Sequence, residues 1–397
     1  MERKDGRNGA LSPPGTGGSA ALANWWGGNS GAQLALLVGT VLLFGFFGAN
    51  TLENMQRFGI TPGFGFLDRP AGFEIGESLI AYSPGDSYAR AIGVGLLNTV
   101  KVAVAGCLLA TVLGVGLGIA RMSGNLLLSG LVQGYVELVR NTPLLLQLFF
   151  WSAMLHALPA PRQALNPVPG VFLSNRGIQL PAFQEPATVI WLGTALLAAL
   201  LLAAIGLAVS RRRGRSGPGY VILVAVPALT VPGMVLLAAG APLAVEMPEL
   251  RGFNFTGGMS LSPEFAALLI GLVVNAAAVI AEIVRSGIQA VPAGQWEAAR
   301  SLGLPRRQVM RLVVLPQALR VIVPLMTSSY LNLTKNSSLA VAIGFPDLVS
   351  VVNTSANQTG QVLETMLLLM AVYLALNLAV SAAMNAYNRR LARRGWT

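Results

Sequence analysis

The residues able to do chemistry are few, and their kinds exclude most of it. The chain has one cysteine, Cys107, and one histidine, His156. A lone cysteine inside an apolar run reads as packing and can form no internal disulfide. A lone histidine neither completes a catalytic triad nor begins a metal site. The three lysines, Lys4, Lys101 and Lys335, stand outside any Gly-Lys-Ser/Thr context, so no phosphate-binding loop of the Walker type is present. The chemistry left is non-covalent. It consists of charge pairing and hydrogen bonding inside apolar segments, where ionisable groups are costly and mark functional positions.

Lys101 follows Asn98 and Thr99 near the start of one such segment. Its ammonium either snorkels to the nearby interface or takes part in gating. Glu282 and Arg285 are three apart, so they pair on one helix face. That pair is read as orienting the basic loop that follows it, with a solute contact as the alternative. Arg140 lies beside Thr142, Pro143 and Gln147 at an expected membrane boundary, where a headgroup anchor is the alternative to a gating role. The densest polar set is Thr327, Ser328, Ser329, Tyr330, Asn332, Thr334, Lys335, Asn336, Ser337 and Ser338, in the middle of an apolar run. Unmet polar groups in hydrocarbon cost several kcal/mol each, so this set faces a neighbouring helix or a water-filled path. Asn275, Asn332, Lys335, Asn336, Ser337 and Ser338 are the candidates to line such a path. Small polar residues also join helices, so part of the set is packing.

The elements that hold these residues follow from composition. The chain has 397 residues, of which 54% are hydrophobic and 11% charged, with a net charge of +11. Its mean hydropathy is +0.62. A bilayer core of roughly 30 Å demands about 20 apolar residues per helix. Eight runs fit: about 32–49, 91–119, 142–158, 187–209, 219–241, 265–288, 321–345 and 362–386. The fold class expected is an all-α polytopic membrane protein of about eight transmembrane helices. Residues 1–31 read as a disordered polar tail and 391–397 as a short second tail. Residues 50–90 and 159–186 are the long Pro- and Gly-rich connections. With the N-terminus inside, 19 of the 27 Lys and Arg residues fall on the inner side and 6 on the outer, and Lys101 and Lys335 lie within spans. The positive-inside rule then puts both termini in the cytoplasm. The sequence pI near 10.6 is explained by these loop charges, and no nucleic-acid partner is expected.

One inner loop differs from the rest. Residues 297–316 read EAARSLGLPRRQVMRLVVLP, with Glu297, Arg300, Arg306, Arg307 and Arg311 in a stretch of twenty. Pro292 suits a helix start. Gly303 is placed to end that helix in a left-handed cap. Pro305 opens a second helix in which Val309, Leu312 and Val313 share a face, and Pro316 breaks the pattern. From the residues alone the stretch is either an amphipathic helix on the membrane surface or a docking element for another protein.

This string resembles the cytoplasmic loop of the membrane subunits of bacterial ABC importers. The matching residues are Glu297-Ala298-Ala299, Gly303, Val313 (where the family usually has Ile), and Leu315-Pro316. Arg140-Asn-Thr142-Pro143-Leu-Leu-Leu-Gln147, Ala281-Glu282-Ile-Val-Arg285 and Lys335-Asn336-Ser337-Ser338-Leu339 resemble segments of the polar amino acid branch. Asn336 and Ser337 replace that branch's Asp and Thr. The resemblance covers about 91–158 and 262–390. It implies a type I importer permease core of five spans plus three extra ones, the first at 32–49 and a pair within 159–261. The eight-span form looks like permeases for general L-amino acids or for glutamate, glutamine, aspartate and asparagine. It further implies that 291–316 is a coupling loop in which Trp296, Glu297, Ala298, Ala299, Arg300, Gly303 and Leu304 meet a separate ATPase subunit. ATP and Mg would then sit on that partner, with no cofactor in this chain. The other implied partners are a second homologous permease chain or a second copy of this one, a periplasmic amino-acid-binding protein, and the lipid of a bacterial inner membrane. The alternative is a secondary transporter of small polar solutes working alone, which calls for internal repeats and membrane carboxylates.

The orientation is testable directly. A cysteine at Gly214, in a chain whose Cys107 is replaced, is expected to react with a membrane-impermeant thiol reagent from the cytoplasmic side only. Labelling from outside in intact cells would contradict the eight-span topology.

Overall fold

The computed structural model describes residues 30–57, 63–183 and 245–393. The expected pair of spans at 187–209 and 219–241, and residues 1–29 of the expected tail, lie outside the described residues. The chain divides into two units, 1–64 and 65–397. The first carries helix α1 (Ser30–Arg57). Its Thr40 and Thr51 hydroxyls donate to carbonyls one turn back, so neither is unmet in an apolar helix.

The second unit is helical at its centre. It contains α2 (Tyr88–Arg121), α3 (Leu126–Arg140), α4 (Leu144–His156), α5 (Pro263–Gln289), α6 (Ala293–Ser301), α7 (Leu315–Asn336), α8 (Leu348–Thr359) and α9 (Val362–Arg393). Among the described residues, five helical runs are long and apolar enough to cross a membrane: Gly31–Thr51, Tyr88–Arg121, Pro263–Gln289, Arg306–Ile343 and Val362–Arg389. Helix starts are marked by side chains that accept from free amides. Ser87 accepts from Arg90, Asn125 from Leu127 and Leu128, and Ser262 from Phe265.

The axis of this unit is the contact of α2 with α5. Gly106, Ala110, Gly114 and Gly118 recur every four residues on α2, and all are buried. Ala277, Ala278 and Ala281 on α5 are fully buried. A Cβ on Gly114 would lie 2.6 Å from Ile280 Cβ, and one on Gly118 would lie 2.8 Å from Val284 Cβ. Between apolar helices in lipid there is little hydrophobic drive, so close backbone approach through small residues supplies the attraction.

The run expected at 142–158 is half of a longer, broken crossing. Helix α4 alone has 13 residues, roughly 20 Å at 1.5 Å each, too short for a bilayer core of about 30 Å. Helix α3 supplies the rest. The two lie end to end along α5, from the Val132–Val139 face packed on Ala278 and Ala281 to Leu155 packed on Ala266 and Ala267. The interruption at Asn141-Thr142-Pro143 falls level with Val274, whose carbonyl accepts from the Tyr135 hydroxyl at 2.7 Å. Arg140, the last residue of α3, stands beside the middle of α5, within electrostatic reach of Glu282. The sequence pattern hid α3 because its apolar residues share one face with polar ones between. The freed carbonyls of Val139 and Thr142 are met by the Gln147 amide at 2.9 and 3.0 Å, as irregular backbone at membrane depth requires.

A second departure lies after the basic corner. Val309, Leu312 and Val313 do not share a buried face. Val309–Val314 is a π-helical turn. Val309 and Val314, five apart, are buried, while Leu312 is exposed. Pro316 does not stop the run but sits in the first turn of α7. Proline lacks an N–H and crowds the carbonyl four residues back, and a wider turn relieves both.

The connections contain strand as well as coil. β1 (Leu165–Val168), β2 (Val171–Ser174), β3 (Gly177–Leu180) and β8 (Met259–Leu261) form an antiparallel sheet in the order β1-β2-β3-β8. Two-residue turns, Pro169-Gly170 and Asn175-Arg176, join the first three. β4 (Ala182–Phe183) pairs with β5 (Val245–Glu246), and β6 (Glu249–Arg251) with β7 (Asn254–Thr256). Strands of two to four residues are too short to leave a two-residue period above the noise of a Pro- and Gly-rich segment.

Gly114→Val tests the helix contact against a neighbour. A side chain there meets Ile280 and the Ala277 carbonyl, whereas one at Gly116 meets nothing within 4 Å. Gly114→Val is expected to destabilise the chain by about 1–3 kcal/mol, the scale of overpacking, seen as a lower melting temperature in detergent. Gly116→Val is expected to melt with the parent.

Candidate functional site

A cavity of about 330 Å³ opens between α4, α5 and α7. Its polar lining is Asn275 from α5 and Ser329, Asn332 and Asn336 from α7, and Leu144, Leu272, Ala276, Val279 and Leu333 complete the wall. Ser329, Asn332 and Asn336 are spaced i, i+3, i+7, so one helix face carries all three. No lining residue is titratable. An amide both donates and accepts, so such a wall can hold an ammonium or a carboxylate without preferring either. Leu144 is the first residue of α4, beyond the Pro143 break. The broken helix therefore opens its N-terminus at the cavity edge, where free amides and the helix dipole favour an anion.

Of the expected path residues, Asn275, Asn332 and Asn336 meet here. Ser337 is fully buried and donates to the Thr334 carbonyl at 2.7 Å, and Ser338 donates to the Lys335 carbonyl. Both hydroxyls are used within their own helical run. Lys335 is exposed and does not line the cavity. It continues an exposed stripe with Ser328 and Asn332 along α7. Two other members of the polar set join helices: Tyr330 to Thr111 of α2 at 2.8 Å, and Thr327 to Asn388 of α9 at 3.4 Å.

The Glu282–Arg285 pair at the other end of α5 has a third member. Arg285 donates to both Glu282 oxygens, and Arg121, the last residue of α2, donates to Glu282 Oε2. Arg285 also donates to Gln289. The side chains of Arg121 and Glu282 are 13% and 22% exposed. Arg121 was missed because it lies 161 residues from Glu282 and looks like an ordinary basic residue at a helix end.

Beyond Gln289 the chain turns at Pro292 into α6. Gly303 has φ +72°. The Leu304 amide donates to the Ala299 carbonyl and the Gly303 amide to the Arg300 carbonyl, the pair of bonds that closes a helix on a left-handed residue. Ala299 is buried, and Trp296 and Leu304 pack against the core beneath, with Val291, Val309 and Ile288. Glu297, Ala298, Arg300 and Gly303 are exposed, and Leu302 is 79% exposed. The helix is anchored on one side and presented on the other.

At the opposite end Lys101 does not snorkel free. Its ammonium pairs with Glu77, a residue the sequence reading passed over. Asp347, which caps α8 through the Ser350 amide at 2.9 Å, is fully buried. Burial pushes its carboxyl up to about 6 against the pull of the Ser350 and Val349 amides. Among the described residues, no three His, Cys, Asp or Glu gather where they could hold a metal ion.

Comparison with known proteins gives consistent matches. A family model described as "Binding-protein-dependent transport system inner membrane component" matches residues 110–393. A relative from Escherichia coli (strain K12), YhdX, is 48% identical over 372 residues, covering 91% of this chain and 93% of its own length. The "General L-amino acid transport system permease protein AapQ" of Rhizobium johnstonii is 45% identical, covering 89% and 90%. The "Glutamate/glutamine/aspartate/asparagine transport system permease protein BztB" of Rhodobacter capsulatus is 39% identical, covering 90% and 91%.

The inner ion network generates a stability prediction. Glu282→Gln leaves two shielded guanidinium groups without a carboxylate, and is expected to cost about 3 kcal/mol, the scale of breaking a buried pair. Glu53→Gln breaks a pair whose side chains are 61% and 69% exposed, and such pairs contribute little. Melting of the two variants in detergent should show a clear drop for the first and none for the second.

Proposed function

The chain belongs to the family of binding-protein-dependent transport system inner membrane components, and on that premise we propose that it is the permease of an ABC importer for amino acids. It forms the path and the coupling element and leaves ATP hydrolysis, with Mg, to a separate ATPase subunit. The observation that carries this reading is α6, anchored through Ala299, Trp296 and Leu304 and presenting Glu297, Arg300 and Leu302 outward. An amphipathic helix lying on lipid would turn its apolar face to the membrane. This one turns a mixed charged and apolar face away from its own core, which suits a protein groove.

The amide-lined cavity is the proposed solute site. Asn275, Asn332 and Asn336 bind the zwitterion, and the open end of α4 favours its carboxylate. The wall carries no charge to select among side chains, so choice of amino acid falls to a periplasmic binding protein. The relatives' names, a general L-amino acid system and a system for acidic amino acids and their amides, support a broad class. The exposed Ser328, Asn332 and Lys335 stripe cannot face lipid at low cost, and is proposed to meet a second permease chain, a homologue or another copy, across the path.

The membrane is the bacterial inner membrane, with both termini cytoplasmic. The orientation rests on the 19 basic residues expected inside against 6 outside. A secondary transporter working alone gains no support, since Glu282 is held by two arginines.

Glu297→Lys tests the coupling role. Co-purification of the parent chain with an ATPase subunit is expected. The variant should remain in the membrane at normal abundance and lose at least about tenfold in amino acid uptake, the scale of one reversed interfacial charge. Parental uptake by the variant would refute docking through that residue.

A further inference from the structure

Three stretches of chain meet on one acid outside the cavity, and a fourth is tied to the same helix beside it. Glu77 lies in the segment between α1 and α2. One of its carboxylate oxygens accepts from the Lys101 ammonium of α2, and the other accepts from the Ser262 hydroxyl, the N-cap of α5, at 2.5 Å. Its backbone carbonyl accepts from Asn98 Nδ2 at 2.7 Å. The same amide donates to the Pro346 carbonyl at 2.9 Å, in the turn between α7 and α8. The turn is pressed on α2. The Leu348 amide donates to Thr99 Oγ1 at 3.1 Å, and a Cβ on Gly95 would lie 3.0 Å from Leu348 Cα. The Glu77 and Lys101 side chains are 17% and 24% exposed. The pair is shielded, but not sealed from one face of the membrane.

Beneath this junction lies an apolar layer. Lys101 Nζ sits 4.1 Å from the centroid of the Phe265 ring. Phe265 packs with Val102, Leu148, Leu268, Leu272 and Phe345, all buried. Leu272 is also part of the cavity wall, as is Asn275 one turn further on. Along α5 the order is thus latch (Ser262), apolar layer (Phe265, Leu268, Leu272) and cavity (Asn275). Phe345 reaches the layer from the same turn that Asn98 ties down at Pro346. Glu77 joins α2 to the start of α5, and Asn98 joins α2 to the turn that carries Phe345; these are the elements that would have to part to expose the cavity outward.

We propose that Glu77 is the positioning residue of an outer latch, which holds the Phe265–Leu272–Phe345 layer shut over the cavity from the external side. The inference rests on the reading of the cavity as a solute site. It also joins the two ends of the molecule mechanically, since α5 runs unbroken for 27 residues from the latched Ser262 to the turn that leads into α6. Opening the latch frees the start of the helix whose end positions the coupling element.

The test is access to the cavity. Asn275→Cys in a chain carrying Cys107→Ser is labelled from outside in intact cells with a charged methanethiosulfonate. Glu77→Gln is expected to speed labelling about tenfold, the factor for one charged hydrogen bond removed from a closed–open equilibrium. Lys101→Met, which breaks the pair from the other side, is expected to do the same. The double variant, Glu77→Gln with Lys101→Met, should label no more than about twofold faster than either single variant, since both remove the same pair, a result that general loosening would not give. Unchanged labelling in both single variants at normal abundance overturns the latch, and so does a double variant whose acceleration is the product of the two single effects. The assay needs no ATPase. Failure to co-purify one would sink the importer reading while leaving the labelling result to decide the latch.

Discussion

The close approach of α2 to α5 at Gly114 and Gly118 is the constraint from which the rest of the structure follows. With no side chain between them, the two backbones are near enough for Ile280 and Val284 to sit on bare glycine. Helix α5 then has two other faces and two ends to offer. One takes the α3–α4 pair, one takes α7 through Ile322 and Met326, and its two ends reach charged groups brought by other segments. A single methyl group in the seam would separate the pair, and the ion network and the latch span the same two helices.

Polar groups at membrane depth explain most of the irregular features. Each is a place where backbone or side chain would be unmet in lipid, and each is met from inside the molecule. The Gln147 amide answers the carbonyls freed at the Thr142-Pro143 break. Arg121 and Arg285 together answer Glu282. The π-helical turn before Pro316 accommodates a ring that an α-helix would exclude from its interior. The amides of Asn275, Asn332 and Asn336 are gathered on a cavity, where a solute or water can complete their bonds. Packing thus surrounds this region and leaves it open.

The two ends of α5 show how such a region can be controlled. At one end a carboxylate from the segment before α2 bonds the helix start, and at the other a capped helix stands exposed beyond Pro292. Both groups are polar and peripheral, and both adjoin apolar layers they do not belong to. A small change in charge pairing at either end can therefore bias a large apolar contact without entering it.

The sequence by itself determined what depends on neighbours within a few turns. The apolar runs at 32–49, 91–119, 265–288 and 362–386 stand as helices, since a bilayer-length stretch without polar breaks has one satisfactory form. Gly303 ends α6 with positive φ, because only glycine takes that conformation freely, and its place after Ala298-Ala299-Arg300 announced it. The i, i+3 pairing of Glu282 with Arg285 is local in the same sense. Tertiary structure alone decided the rest. Glu77 meets Lys101 through a loop whose path no periodicity records, and Arg121 meets Glu282 across 161 residues. The run of α3 and α4 is split before Pro143, and Gln147 answers the carbonyls left there, which no hydropathy window detects. Lys335, adjacent to Asn336 in sequence, is turned away from the cavity that Asn336 lines, since one residue along a helix is a rotation of about 100°. Local patterns specify which uninterrupted apolar segments form helices and where a glycine ends one. Which polar groups find one another is set by how the helices pack, and that is a property of the whole chain.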